Sequence, residues 1–309
     1  MSDTRPLLPP PVSPGGLIGL FSPAGPVRDK ARYEQGLTRL QELGYRIRIT
    51  PREDTHEYLA ADDASRATEF LELWSDPEVE ALLAVRGGYG CLRMLPFLDL
   101  EQLASSPKRL VGFSDLTVLL NAVSDRTGII TLHGPVLTSL ADADDTSMSS
   151  LFAMLSGGLE SVESGTTTVL REGIADGILR GGNLTTLSHL LGTPWEIPLH
   201  GTILLLEDTG EPMYRIDRML TQLYVSGRLE QAAGIILGSF DCGDDEAANR
   251  TLRERAWNRV LELTVHSGCP VWGDFPVGHG SVNHTLPIGA PVQMENGRLV
   301  LQHEKINTI

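Results

Sequence analysis

Cysteine is scarce. Three residues, Cys91, Cys242 and Cys269, stand in 309 and form no C-x-x-C pair, which excludes a disulfide framework and a zinc knuckle and fits a reducing compartment. No H-E-x-x-H or related histidine spacing occurs either, so the zinc route to hydrolysis has no support and no metal is expected. Positive charge is short as well: 25 basic against 40 acidic residues leave a net charge of −15, a field that repels nucleic acid and anionic lipid. No run approaches the ~20 apolar residues of a membrane span. Met1 to Pro14 holds prolines where a signal peptide needs an apolar core, so a cytoplasmic protein without membrane partners is expected.

What is present is an ordinary globular composition, 41% hydrophobic and 21% charged, at a length that calls for two packed domains. Short apolar runs alternate with helical periodicity through the first half. Leu17–Phe21, Tyr45–Ile49, Ala81–Val85, Arg109–Phe113 and Ile129–Leu132 read as strands, with helices over 29–43, 64–74 and 116–123. That pattern predicts a mostly parallel, Rossmann-like sheet with helices on both faces, in an α/β protein.

A Pro-rich tail (1–15) precedes this N-terminal domain (16–140). A stretch rich in Asp, Ser, Thr and Gly (141–165), with a helical segment at 149–155, reads as the linker. The remainder (166–309) reads as a mixed α/β C-terminal domain. Its strands are placed at 166–170, 174–179, 202–206, 233–237, 292–295 and 298–302, the last two joined by the hairpin signal Asn296-Gly297, and its helices at 184–191, 214–225 and 250–266.

Motifs follow the strands. Phe21-Ser22-Pro23-Ala24-Gly25-Pro26 stands where a dinucleotide site would place G-x-G-x-x-G and lacks its glycines, so no nucleotide cofactor is expected. Arg86-Gly87-Gly88-Tyr89-Gly90 lies at the carboxyl edge of the sheet, where glycines let backbone N–H groups approach a ligand oxygen; a tight turn is the plainer reading. Ser114, in Val111-Gly112-Phe113-Ser114-Asp115, sits between a buried strand and a helix, with the Asp115 N–H at a positive helix end; it reads either as a nucleophile or as a helix cap.

A serine nucleophile needs a base and an acid that orients it. His279, flanked by glycines, and His133, in Leu132-His133-Gly134-Pro135, compete for the base, with His284 a lesser candidate. Glu207, directly after the apolar run Thr202–Leu206, is the leading acid, with Asp208 and Glu211 local rivals.

Taken in order, Arg86–Gly90, Val111–Asp115, Leu132–Pro135, Gly181-Gly182-Asn183-Leu184, Leu205–Asp208 and Gly278–Gly280 with Asn283–Pro287 resemble the LD-carboxypeptidases, the muramoyltetrapeptide carboxypeptidase family, over Leu17 to Leu301. The resemblance implies a metal-independent serine peptidase with Ser114 as nucleophile, His279 as base and Glu207 as orienting acid. Backbone N–H groups of Gly88 and Asp115 would form the oxyanion site. It further implies a two-domain architecture, a homodimer without cofactor, and a murein peptide substrate that loses its terminal D-alanine at the L,D bond during peptidoglycan recycling. Relatives resembling the microcin C immunity proteins offer aminoacyl-nucleotide conjugates as the alternative substrate. A non-catalytic ligand-binding protein on the same scaffold is the alternative of another class.

Overall fold

The computed structural model describes residues 5–50, 56–158, 161–163 and 165–308. Two sheets organise it. The first has six strands in the order β13-β6-β5-β4-β2-β3. Here β2 is Leu17–Phe21, β3 Arg46–Ile49, β4 Val79–Ala84, β5 Arg109–Gly112, β6 Thr131–His133 and β13 Leu286–Ile288. The first five run parallel, whereas β13 pairs antiparallel with β6. This late strand therefore carries the distal half of the chain back onto the proximal sheet.

Every residue of β2 is buried, as a central parallel strand covered on both faces requires. The cover comes from α1 (Lys30–Glu42), α2 (Asp63–Ser75), the short α3 (Cys91–Met94), α4 (Thr117–Thr127) and α5 (Asp145–Ser156). The α5 helix lies within the stretch read as a linker and starts at a side-chain cap, Asp144 accepting from the Ser147 N–H. Alternate strand residues feed opposite layers: Leu82 and Leu110 join the cluster containing Phe21, Phe70 and Trp74, while Leu83 and Val111 join the one containing Leu40 and Leu137.

The second sheet has eight strands in the order β7-β15-β14-β9-β10-β11-β12-β8. Its parallel centre is β9 (Ala175–Asn183), β10 (Thr202–Thr209), β11 (Gly234–Asp241) and β12 (Val271–Gly273). Antiparallel partners flank it: β8 (Thr168–Arg171) beside β12, and β14 (Pro291–Glu295), β15 (Arg298–Leu301) and β7 (Val162–Glu163) on the other side. The β14–β15 turn places Asn296 and Gly297 both at positive φ, the type I′ geometry expected of that dipeptide. Helices α6 (Leu184–Ser188), α7 (Met213–Val225) and α8 (Glu246–Leu263) complete this half. The described residues are thus α/β with two large sheets, the first mostly parallel and the second mixed.

The first and last described segments meet. Leu7–Leu8 (β1) pairs in parallel with Asn307–Thr308 (β16), and Leu8 and Val12 of the Pro-rich stretch are buried. The buried Arg109 guanidinium donates to Pro10 O at 2.9 Å.

The two halves are joined by polar contacts that must be satisfied because they are buried. From α4, Asn121 Nδ2 donates to Gly181 O at 2.9 Å and Asn121 Oδ1 accepts from the Gly181 N–H at 3.0 Å. Thr117 Oγ1 accepts from the Asn183 N–H at 2.9 Å. The helix that follows Ser114 is thereby locked to the end of β9, beside the end of β10.

Candidate active site

Ser114 occupies the turn between β5 and α4 with φ of +64°, one of four non-glycine residues at positive φ among the described residues. An L-residue there is strained by roughly 1–2 kcal/mol, and such strain concentrates where it presents a side chain. The helix-cap reading is not realised: Phe113 is the cap of the first turn and Leu116 that of α4, neither through a side-chain hydrogen bond. Instead the neighbouring Asp115 carries the anchoring role. Its buried carboxylate accepts from the Cys91 N–H at 2.8 Å, tying the serine turn to the start of α3, the helix that follows Arg86–Gly90.

That loop passes directly over the serine. A Cβ at Gly87 would lie 2.9 Å from Ser114 Cβ and 3.0 Å from Ser114 Oγ, so no larger residue fits without displacing the hydroxyl. Ser114, Gly88 and His279 line one cavity of about 420 Å³. Among the described residues the N–H groups of Gly88 and Asp115 donate to no acceptor, which leaves both able to bind a developing oxyanion.

Strand alternation decides between the two adjacent acids of β10. Leu204 and Leu206 point into the layer containing Leu184 and Leu187 of α6, while Ile203 and Leu205 point into the layer containing Val277. Asp208 follows the first set. It accepts from the Thr185 N–H at 2.8 Å, from Thr185 Oγ1 at 2.8 Å and from Asn183 Nδ2 at 3.2 Å, and so caps the approach to α6; burial raises its pKa to about 6. Glu207 follows the second set and meets His279, with 2.6 Å between Oε2 and Nδ1. Glu211 is turned outward, 3.2 Å from Arg215 Nη1.

Glu207 is fully buried and the His279 side chain retains 19% exposure, so the pair presents only its imidazole to the cavity. Burial opposes ionisation of Glu207, yet the charge and hydrogen bond of His279 prevail and hold its pKa below the ordinary value. Burial likewise disfavours the imidazolium, but Glu207 beside it carries the His279 pKa above its ordinary value. The Phe113 ring, one residue from the serine, packs on the imidazole at 4.7 Å between centroids.

Gly278 is needed for this contact. Its φ is +105°, and a Cβ there would lie 2.6 Å from Glu207 Oε2. On the other side of His279, the Gly280 N–H donates to Ser239 Oγ at 3.0 Å.

The rival histidines lack such partners. His133 is fully buried, both its ring nitrogens are without hydrogen bonds among the described residues, and burial depresses its pKa to about 4. It sits behind Phe113 as a neutral core residue, 6.1 Å between ring centroids. His284 lines a separate cavity beside α5. The sequence reading passed over Asp115 as a side chain and the arginines of the cavity, Arg28, Arg32 and Arg86. Arg86 could have been found, since it opens the glycine-rich loop.

Among the described residues no group of three metal-ligating side chains occurs, and no helix is long and apolar enough to cross a membrane.

Comparison with known proteins places both halves. Residues 18–134 match the LD-carboxypeptidase N-terminal domain and residues 176–294 the LD-carboxypeptidase C-terminal domain. A putative carboxypeptidase of Synechocystis is 38% identical over 94% of each chain. The murein tetrapeptide carboxypeptidase of Pseudomonas aeruginosa is 34% identical over 92% of this chain and 94% of its own. The structure of MccF in complex with glutamyl sulfamoyl guanosine superposes with a TM-score of 0.86 at 26% identity, covering 98% of this chain and 100% of that one. The microcin C7 self-immunity protein MccF of Escherichia coli aligns with this chain over 348 positions against 309 residues here, so it carries segments this chain lacks.

Proposed function

The chain belongs to the LD-carboxypeptidase family, and from that premise we propose that it is a metal-independent serine peptidase that removes the terminal D-alanine from murein tetrapeptide, with Ser114, His279 and Glu207 as its triad. The observation that carries this reading is the 2.6 Å pairing of a fully buried Glu207 with His279, whose imidazole shares a cavity with a serine held at positive φ.

With Nδ1–H donated to Glu207, Nε2 keeps its lone pair and accepts the Ser114 proton as Oγ attacks the carbonyl of the L-centre. The N–H groups of Gly88 and Asp115 receive the oxyanion, and Glu207 stabilises the imidazolium. The proton then passes to the departing D-alanine amine, and water activated by the same imidazole releases the tripeptide. The three groups come from the turn after β5, the end of β10 and the segment after β12, so docking of the two halves assembles the site. Peptidoglycan recycling is the role such a reaction serves.

A second substrate, an aminoacyl-nucleotide conjugate, is favoured by the likeness to MccF. The higher identity to the murein tetrapeptide carboxypeptidase of Pseudomonas aeruginosa, 34% against 28% for MccF, favours the peptide. Assaying purified protein on murein tetrapeptide and on an aminoacyl sulfamoyl nucleotide side by side separates the two. Release of D-alanine from the first supports the proposal, and cleavage of the second alone overturns it.

A further inference from the structure

The chain carries a net charge of −15, yet the cavity that holds Ser114 and His279 is bordered by three arginines, Arg28, Arg32 and Arg86, and by a single lining carboxylate, Asp29. Two of these four charges are already answered. Asp29 caps α1 by accepting from the Arg32 N–H at 3.0 Å, and the Arg32 guanidinium is 2.6 Å from Asp142 and donates to Thr138 O.

Arg86 and Arg28 remain. Arg86 donates through Nη1 to Pro26 O at 2.8 Å, and neither it nor Arg28 has a carboxylate partner among the described residues. Arg86 is part-buried, and burial, followed by the like charge of Arg28, works against its cation. A guanidinium withdrawn from water beside a second cation is a poor structural choice unless an anion arrives to complete it.

Its place in the fold says which anion. The guanidinium lies against the glycine loops: a Cβ at Gly25 would sit 3.5 Å from Cζ, and one at Gly88 3.7 Å from Nη2. Arg86 is therefore next in sequence to the glycine that covers Ser114 Oγ and two residues from the oxyanion loop's Gly88. A group bound there stands about one residue from the attacked carbonyl, on the loop side of the cleft. In a peptide cut at its last bond, the group one residue beyond the scissile carbonyl is the free terminal carboxylate.

Resting on the function proposed above, we infer that Arg86, flanked by Arg28, binds the C-terminal carboxylate of the departing residue and so makes the enzyme a carboxypeptidase rather than an endopeptidase. Arg86 supplies the planar pair of donors that suits a carboxylate, and Arg28 adds exposed positive charge at the entrance.

The test compares wild type, Arg86→Met and Arg28→Ala on three substrates: murein tetrapeptide, the same peptide with a C-terminal amide, and the free acid with lysine replacing diaminopimelate. Wild type should favour the free acid over the amide by ~100-fold in kcat/KM, as expected for one charge-assisted bidentate contact. Arg86→Met should bring that ratio within about threefold, by losing the free acid and not the amide, whichever diamino acid is present. Arg28 has no hydrogen-bond or ion-pair partner among the described residues, so Arg28→Ala should fold and narrow the ratio several-fold, more at low salt than high.

An acid-to-amide ratio unchanged in both variants, or a loss that follows the diaminopimelate side carboxylate instead, overturns the assignment while leaving the proposed function standing. Should Arg86→Met not fold, the Arg28→Ala ratio decides alone. If wild type releases D-alanine from neither free acid, the proposed function fails and this inference with it.

Discussion

The carboxylate of Glu207 and the imidazole of His279 are 2.6 Å apart although they lie 72 residues apart in the chain, one at the end of β10 and the other in the irregular segment after β12. Two features enforce the contact. Strand alternation turns Glu207 away from the face on which Asp208 caps α6, and the absence of a side chain at Gly278 lets the backbone before His279 pass over Oε2.

Removing the charge of Glu207 should therefore cost turnover more than stability. A Glu207→Gln variant retains the shape but offers an amide that permits the wrong imidazole tautomer and does not stabilise the imidazolium, so kcat should fall about 10³ to 10⁴-fold. Steady-state kinetics with circular dichroism on the same sample checks both halves of that expectation.

The pH profile gives an independent reading of the pair. His279 acts only when neutral and its pKa lies above the ordinary 6.5, so kcat/KM should fall with acidification through a midpoint above that value. In Glu207→Gln the burial that opposes the imidazolium remains while the carboxylate that favours it is gone. The residual activity should then titrate at a lower pH than in wild type. An unmoved midpoint would detach the acidic limb from His279.

Ser114 at φ +64° implies a trade of stability for function. A Ser114→Gly variant relieves about 1–2 kcal/mol of backbone strain, offset by roughly 0.5–1 kcal/mol of extra freedom in the unfolded chain. The expected net gain is about 0.5–1 kcal/mol, measured by denaturant unfolding, in a protein without hydrolytic activity.

Gly278→Ala should do the reverse. Its Cβ would meet Glu207 Oε2 at 2.6 Å in a backbone conformation that L-residues avoid, so both the fold and the pair must give way. Loss of stability of about 1–3 kcal/mol with at least a 100-fold loss of kcat/KM is expected, and a thermal melt beside an activity assay reads both.

Strands whose residues form unbroken apolar runs, such as Leu17–Phe21 and Thr202–Leu206, were legible because a parallel strand covered on both faces needs nothing else. Less legible were elements defined by distant partners. Leu286–Ile288 is three residues long and contains Pro287, yet it closes the first sheet by pairing with β6. Val271–Gly273 is equally short, and the Pro-rich start enters the core through Leu8 and Val12. At the site, local chemistry left Glu207, Asp208 and Glu211 open, as it did His279 and His133. Which face of β10 meets Val277 is a matter of tertiary packing, and neither composition nor spacing contains it.

Turnover of murein tetrapeptide by Ser114→Ala tests the central claim most directly, because the substitution removes one oxygen from a hydroxyl that makes no hydrogen bond among the described residues. With the variant folded as judged by its melting curve, the account predicts D-alanine release at least about 10⁴-fold slower than wild type. Release within about tenfold of the wild-type rate would contradict it, since hydrolysis would then proceed without the nucleophile on which the mechanism rests.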